Sequence, residues 1–189
     1  MTRPIAVLLL VICTALWGLA FVFQKGAMEH MEPLTFAGIR YFLGAFLVLP
    51  LAILEYRRQT ARGVVITRPQ WIRIGILSFA FFLGVWLQQV ALLTTTVTNG
   101  GFITSLYVIF TPVVTYLTIR VRPHPIVYLG APLALIGIYM LTGARLDQFT
   151  QGDMLLLAGA VCWAVQVSML GRLVKETGMP EFASTINFF

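Results

Sequence analysis

The sequence contains few charged residues: 13 Lys and Arg and 7 Asp and Glu among 189 positions. A soluble globular domain carries charge on about a quarter of its residues, so this composition argues against a soluble fold. Cysteine is scarcer still. Cys13 and Cys162 both lie inside long apolar stretches, where cysteine acts as a small packing residue. Their number and spacing exclude a disulfide framework.

The sequence also lacks the residue groupings that mark common catalytic and cofactor sites. It has no phosphate-binding Gly-Lys motif, no metal-ligand spacing and no nucleophile–base pair. No Asp or Glu lies deep in an apolar stretch, which disfavours proton-exchanging pumps that use a carboxylate inside the membrane. We therefore expect no catalytic residue, no metal and no cofactor.

What the chain has instead is long apolar runs, and 59% of its residues are hydrophobic. A transmembrane helix needs roughly 17–25 residues, whereas barrel strands are about half as long and alternate in polarity. The first run lacks the cleavage site of a signal peptide, so we expect it to remain as a membrane anchor. The runs predict an all-α integral membrane bundle with spans over about Ile5–Gln24, Leu34–Leu54, Trp71–Leu93, Thr98–Ile119, Ile126–Gly143 and Met154–Leu170, and a further span beginning near Phe182.

The basic residues of the loops gather on one side of the predicted membrane. Between the second and third spans lie Arg57, Arg58, Arg62, Arg68 and Arg73. The positive-inside rule therefore predicts a multi-pass protein of the bacterial cytoplasmic membrane with a cytoplasmic N-terminus. Because this asymmetry accounts for the positive charge and the loops are short, we expect no nucleic-acid partner. The expected partners are the lipid bilayer and a small solute.

The stretch Val7–Lys25 returns in altered form at Asp153–Arg172. When Trp17 is placed over Trp163, each Trp is followed by an apolar stretch with one Gln and by a basic end. A membrane chain that restarts its first helix is typical of transporters built from internal repeats, where solute binds at the repeat interface. The repetition therefore predicts one complete repeat and the start of a second.

Short motifs follow one another along the whole chain in a definite order. They are Thr14–Gly18 with Phe21 and Lys25, Pro33–Arg40 with Tyr41 and Phe42, Asn99–Phe102, Thr111-Pro112, Gly137–Tyr139, Gly152-Asp153 and Trp163-Ala164. This series resembles the drug/metabolite transporter superfamily, and specifically its EamA-type branch. The resemblance implies ten helices in two inverted five-helix repeats, cytoplasmic termini and a central solute cavity. Residues 1–143 would be the first repeat and residues 152–189 the truncated start of the second.

Polar and aromatic side chains inside the spans are candidates for contact with solute, because polar groups are costly in hydrocarbon and face the bundle interior. Trp17 and Trp163 hold matching repeat positions and would face each other across the cavity, with core packing as the alternative. Gln88 and Gln89 point about 100° apart, so at most one would face a pore. The candidate substrate-binding residues are Trp17, Gln24, Arg40, Gln88, Asn99, Tyr107, Trp163 and Gln166. For the amides the alternative is a hydrogen bond between helices.

Arg40 is the only charged side chain well inside a predicted span. It lies about 9 Å along the helix from Leu34. It would reach the outer surface, or pair with Glu29 or Glu32, while its apolar stem stays in the membrane. The alternative is an anion-attracting or gating role near the cavity mouth.

These features lead to one main hypothesis, a secondary transporter or exporter of a small metabolite that works by alternating access. The solute would be an amino acid, a nucleoside or a drug-like molecule. A membrane structural or assembly subunit is an alternative, but it would not need polar groups in mid-membrane. An intramembrane enzyme would need clustered His, Asp, Glu, Ser or Cys at one depth. If the protein is half-size, it would have to work as a homodimer.

Overall fold

The structure, a computed structural model, describes residues 3–120, 125–141, 149–180 and 182. These residues form helices and the connections between them, which confirms the all-α prediction for this part of the chain. The helices are α1 (Arg3–Ala27), α2 (Pro33–Ala61), α3 (Arg68–Ala91), α4 (Val97–Ser105), α5 (Tyr107–Ile119), α6 (Ile126–Leu141) and α7 (Gln151–Thr177). Among them α1, α2, α3, the α4–α5 pair and α7 are long and apolar enough to cross a membrane.

The fourth predicted span consists of two consecutive helices. Leu106 lies in the turn between α4 and α5, but it keeps helical dihedral angles of φ −60° and ψ −18°. The two helices therefore continue as one stretch of 22 residues, Val97–Thr118. The hydroxyl of Thr96 caps the start of α4 by accepting a hydrogen bond from the backbone N–H of Asn99 at 3.1 Å.

The fifth predicted span is shorter than expected within the described residues. Helix α6 has 16 residues, or about 24 Å of helix against the roughly 30 Å of a bilayer core. Residues 142–148 lie outside the described part of the chain. So do residues 183–189, where most of the further predicted span falls.

Helices α3 and α7 form the antiparallel centre of the bundle. At one end the guanidinium of Arg73 lies 2.6 Å from the carboxylate of Glu176, and at the other the hydroxyl of Thr95 donates to Asp153. Between these ends the helices approach closely at glycine. A Cβ placed on Gly159 would lie 3.5 Å from the carbonyl oxygen of Gly84. Small residues of this kind let helix backbones approach in a membrane, where apolar burial alone does not drive association.

The other helices pack around this pair unequally. Helix α2 lies against α3, α4 and α5 lie against α7, and α1 contacts α4. The only buried residues of α1 are Phe21 and Gln24, both in its last two turns. Its earlier apolar side chains, such as Leu10 at 67% exposure, stand free of the described chain. Helix α1 is therefore attached mainly by its C-terminal end.

Candidate functional site

A cleft of about 640 Å³ runs between α1 and the α4–α5 segment. It brings together two of the predicted site residues, Trp17 and Tyr107. None of its lining residues carries a charge: they are Leu10, Cys13, Thr14, Trp17, Gly18, Phe21, Val97, Thr98, Gly101, Phe102, Thr104, Ser105 and Tyr107. The cleft therefore offers aromatic walls and hydroxyl groups to a solute.

Trp163 of α7 touches this region without lining the cleft. It is 6% exposed and meets the Trp17 ring edge-to-face, with the ring centroids 6.0 Å apart. The two rings, expected to face each other across a cavity, are in direct contact, and their role toward a solute stays a prediction. On its other side Trp163 meets Phe81 of α3 edge-to-face at 5.2 Å. Trp17 itself is 48% exposed, so it lies at the edge of the described bundle rather than at its centre.

The hydroxyl Oγ1 of Thr104, which lines the cleft, is buried and has no hydrogen-bond partner among the described residues. Nε1 of Trp163 has no partner there either, but it faces α3, where a Cβ on Gly84 would lie 3.4 Å from it. A buried polar group without a partner costs about 1–3 kcal/mol, so such groups call for a function or a ligand. Thr104 was not among the predicted residues. The available signal was the run of small residues, Gly100-Gly101 followed by Thr104-Ser105, on one face of the fourth span.

The three glutamines that we predicted to bind solute are all buried. Gln24 is 1% exposed, Gln88 is 4% and Gln166 is 6%. Neither amide atom of Gln24 has a partner among the described residues, and the same holds for Oε1 of Gln88. Gln89, its neighbour on α3, is also buried and donates to the sulfur of Met28 at 3.7 Å. Gln88 and Gln89 are thus both buried in protein. Contact of Gln88 with a solute stays a prediction.

Arg40 pairs with aromatic side chains rather than with Glu29 or Glu32. Its Nη2 donates to the hydroxyl of Tyr41 at 2.6 Å. The guanidinium carbon lies 4.6 Å from the centroid of the Tyr41 ring and 5.7 Å from that of Phe36. Cation–π contacts of this kind stabilise a guanidinium where water is scarce. The geometry supports a structural role for Arg40, and the expected ion pair is wrong.

A second cleft of about 420 Å³ lies between α2 and α3. Tyr41 and Phe81 both line it. Their rings meet edge-to-face with centroids 5.1 Å apart. Because Phe81 also contacts Trp163, an unbroken series of rings leads from Tyr41 of α2 to Trp17 of α1. This aromatic layer separates the two clefts.

Asp153, in the first turn of α7, is a functional candidate that is not among the predicted site residues. Its side chain is fully buried. One carboxylate oxygen accepts hydrogen bonds from the hydroxyl of Thr95 and, at 3.1 Å, from the amide of Asn99. The other accepts from the backbone N–H of Thr150 at 2.8 Å and from its hydroxyl at 2.9 Å. Asn99 is one of the predicted solute-binding residues, and a hydrogen bond between helices was the alternative. In the structure it makes such a bond, from α4 to α7.

Lys25, at the end of α1, is the second candidate that sequence reasoning missed. Its ammonium donates to the carbonyl of Leu92 and, at 3.1 Å, to that of Thr95. The last carbonyls of a helix have no partner within the helix, so a cation there is favourable. Lys25 therefore ties α1 to the turn that joins α3 and α4.

Within the described residues, no three His, Cys, Asp or Glu side chains come together in a way that would hold a metal ion. The chemistry of the clefts consists of aromatic surface, hydroxyls and amides. Such groups bind and orient a solute through contact and hydrogen bonds.

Comparison with known proteins gives a consistent result. Residues 4–143 match the EamA-like transporter family. An uncharacterized transporter of Archaeoglobus fulgidus is 32% identical over 164 residues, which cover 86% of this chain and 48% of the relative. A probable amino-acid metabolite efflux pump of Salmonella typhimurium is 26% identical over 181 residues, which cover 94% of this chain and 57% of the relative. No solved structure matches.

The chain thus spans about half the length of the curated relatives it matches. The family match nevertheless covers most of the chain, and it includes α1 to α6. Five helical stretches are long and apolar enough to cross a membrane, and the cleft beside Trp17 and Thr104 is lined by aromatic and hydroxyl side chains. The chain belongs to the EamA-like transporter family.

Proposed function

We propose that this chain forms part of a secondary transporter that exports a small metabolite across the cytoplasmic membrane by alternating access. The observation that carries the proposal is the cleft between α1 and the α4–α5 segment. Thr104 lines the cleft, and its buried hydroxyl has no hydrogen-bond partner among the described residues. A polar solute in the cleft would supply the missing acceptor.

The lining favours a solute without net charge. A charged group in a low-dielectric site needs a counter-charge or several hydrogen bonds, and the cleft offers no counter-charge. A zwitterionic amino acid satisfies this condition, because its two charges can pair with each other and with hydroxyls. The name of the Salmonella relative, an amino-acid metabolite efflux pump, favours the same class. We therefore place neutral amino acids first, ahead of nucleosides and drug-like solutes.

The proposed mechanism follows from the unequal packing of the helices. The α3–α7 pair is held at both ends and along its length, whereas α1 is attached mainly near Phe21 and Lys25. Movement of α1 against the pair would change access to the cleft and leave the frame intact. The complete protein would then bind solute between its two repeats.

Transport by the complete protein containing these residues tests the proposal. Proteoliposomes would be loaded with a labelled neutral amino acid, a nucleoside or a cationic drug, and efflux would be measured. Thr104→Val keeps the branched shape of the side chain but removes the hydroxyl. We expect it to raise the KM for the amino acid about tenfold, the value of one hydrogen bond of about 1.4 kcal/mol.

The matched control is Thr118→Val. Thr118 is exposed on α5, its hydroxyl donates to the carbonyl of Val114 in the same helix at 2.8 Å, and it does not line the cleft. This variant should leave the KM unchanged. Absence of efflux for all three solutes would refute the transport function. Efflux of the nucleoside or drug alone would refute the proposed solute class.

A further inference from the structure

One short turn of the chain is held from two sides by opposite charges. The turn joins α3 to α4, and Thr95 lies in its centre. The ammonium of Lys25 binds the carbonyl of Thr95 at 3.1 Å, and the hydroxyl of Thr95 donates to the carboxylate of Asp153. Thr95 therefore connects the last turn of α1 with the first turn of α7.

The two sides of this connection are held by different numbers of contacts. Asp153 is held by Thr150 as well as by the turn, through a reciprocal cap at the start of α7. Gly152 lies so close to the turn that a Cβ there would be 2.6 Å from the carbonyl oxygen of Ala91. The α7 side is thus held by several contacts. On the α1 side, the ammonium of Lys25 is the charged group that holds the turn.

The contacts of the turn lie just beyond one end of the cleft. Thr95 is 3% exposed and Asp153 is fully buried, whereas Lys25 is partly exposed. The cleft is lined by Phe21 at this end and extends along α1 as far as Leu10.

We propose that Lys25, Thr95 and Asp153 form the gate that seals the cleft at this end, and that release of Lys25 from the turn opens it. This inference rests on the proposed transport function, because a gate has a purpose only if solute passes. The gate joins the first helices of the two repeats, α1 and α7, which are the elements that must separate when access changes sides. Thr95 connects a fully buried carboxylate, that of Asp153, with the partly exposed ammonium of Lys25.

The opposite end of α7 has a different kind of contact. Glu176 pairs with Arg73 at 2.6 Å and with Arg172 at 2.9 Å, and the side chains are between 26% and 43% exposed. Exposed pairs are screened by water and salt and contribute little. The pair with Arg73 joins α7 to α3, and the pair with Arg172 lies within α7. Neither pair involves α1. Substitution of Glu176 therefore serves as a control, because it changes the charge at this end of α7 and leaves the contacts of Lys25 and Asp153 with Thr95 in place.

The native thiol of Cys13 lines the cleft and reports whether it is open. In the complete protein with Cys162→Ala, labelling of Cys13 by a membrane-impermeant thiol reagent would be followed in sealed vesicles of either orientation. A separate His30→Cys variant without the native cysteines identifies the face on which the gate lies, because His30 is exposed just beyond α1. Labelling of detergent-unfolded protein gives the total.

We expect slow labelling of Cys13 from the gate face in the parent protein. Lys25→Gln and Asp153→Asn should each raise the rate about tenfold, which corresponds to about 1.4 kcal/mol in the open–closed equilibrium. Lys25→Arg keeps the charge and should retain slow labelling. Glu176→Gln should not raise it.

The gate is refuted if Lys25→Gln and Asp153→Asn both label at the parent rate. It is also refuted if Glu176→Gln raises labelling equally, since that result would show general loosening. If Asp153→Asn does not fold, the comparison of Lys25→Gln with Lys25→Arg still decides the question. The labelling needs no solute, so failure of the transport proposal would be seen separately in the efflux experiment.

Discussion

The closest approach between α3 and α7 predicts a severe effect of Gly152→Ala. A Cβ on Gly152 would lie 2.6 Å from both the backbone oxygen of Ala91 and the hydroxyl of Thr94, and 3.1 Å from Cβ of Thr95. A carbon–oxygen contact is rarely shorter than about 3.3 Å, so the start of α7 must recede by about 0.7 Å. The obstacle is partly backbone at the end of α3, which cannot turn away as a side chain would.

The cost has two parts. Overpacking of this kind costs about 1–3 kcal/mol. A shift of 0.7 Å would also stretch the bond from Asn99 to Asp153, now 3.1 Å, beyond hydrogen-bond distance. Loss of a hydrogen bond to a charged group costs about 1.5–3 kcal/mol. We expect a total loss of about 3–5 kcal/mol, or roughly 10 °C in the apparent Tm.

Thermal unfolding in mild detergent, followed by loss of helical circular dichroism, would measure the effect. The matched control is Gly159→Ala, two turns along the same helix, where the nearest atoms to a Cβ lie at the ordinary contact distances of 3.5 and 3.6 Å. That variant should be as stable as the parent or slightly more so, because Ala favours a helix over Gly. If Gly152→Ala unfolded at the parent temperature, the close approach of α7 to Ala91 would be wrong.

Three further results are expected. A cysteine at Ala61, in the Arg-rich connection, should resist an impermeant reagent added to intact cells, because the positive-inside rule places it in the cytoplasm; efficient labelling would reverse the orientation. Glu176→Gln breaks pairs with Arg73 and Arg172 that are about a third exposed, and should lower the free energy of unfolding by less than about 1 kcal/mol in detergent; a larger loss would mean that these pairs are sheltered. Gly171→Ala, with no atom within 4 Å of the new Cβ, should raise the Tm slightly through helix propensity, and a fall would contradict the open space seen there.

The sequence predicted the helices well because their signal is length and apolar composition, and both are local properties. Repetition related Trp17 and Trp163, which are far apart in the chain, but the structure places their rings in direct contact rather than across a cavity. The small turn at Leu106 was missed, since it occurs inside an uninterrupted apolar run and its residue has ordinary helical angles.

The charged residues of the candidate gate could not be predicted in the same way. Lys25 and Asp153 stand at the ends of apolar runs, where charged residues usually face water. Whether such a residue is solvated or buried depends on which other helix end lies beside it, and this is a matter of tertiary packing. The partners of Asp153 at Thr95 and Asn99 are more than fifty positions away, with separations of 58 and 54 residues. Arg40 illustrates the converse, because its nearest partner was the adjacent Tyr41 and not a loop carboxylate.

Different kinds of contact hold α1 and the α3–α7 pair in the bundle. In lipid, apolar surfaces gain little by leaving the solvent, so helices associate through close packing and hydrogen bonds. Close packing dominates between α3 and α7, where Gly84, Gly152 and Gly159 bring the backbones together. Close packing depends steeply on distance, so these contacts resist any sliding of α3 against α7. Helix α1 is held instead by the hydrogen bonds of Lys25 and a short contact of Phe21 with α4. The partly exposed ammonium of Lys25 can exchange a carbonyl for water, whereas a steric contact between backbones has no such substitute. This difference is the reason that the proposed opening separates α1 from the α3–α7 pair and leaves the pair together.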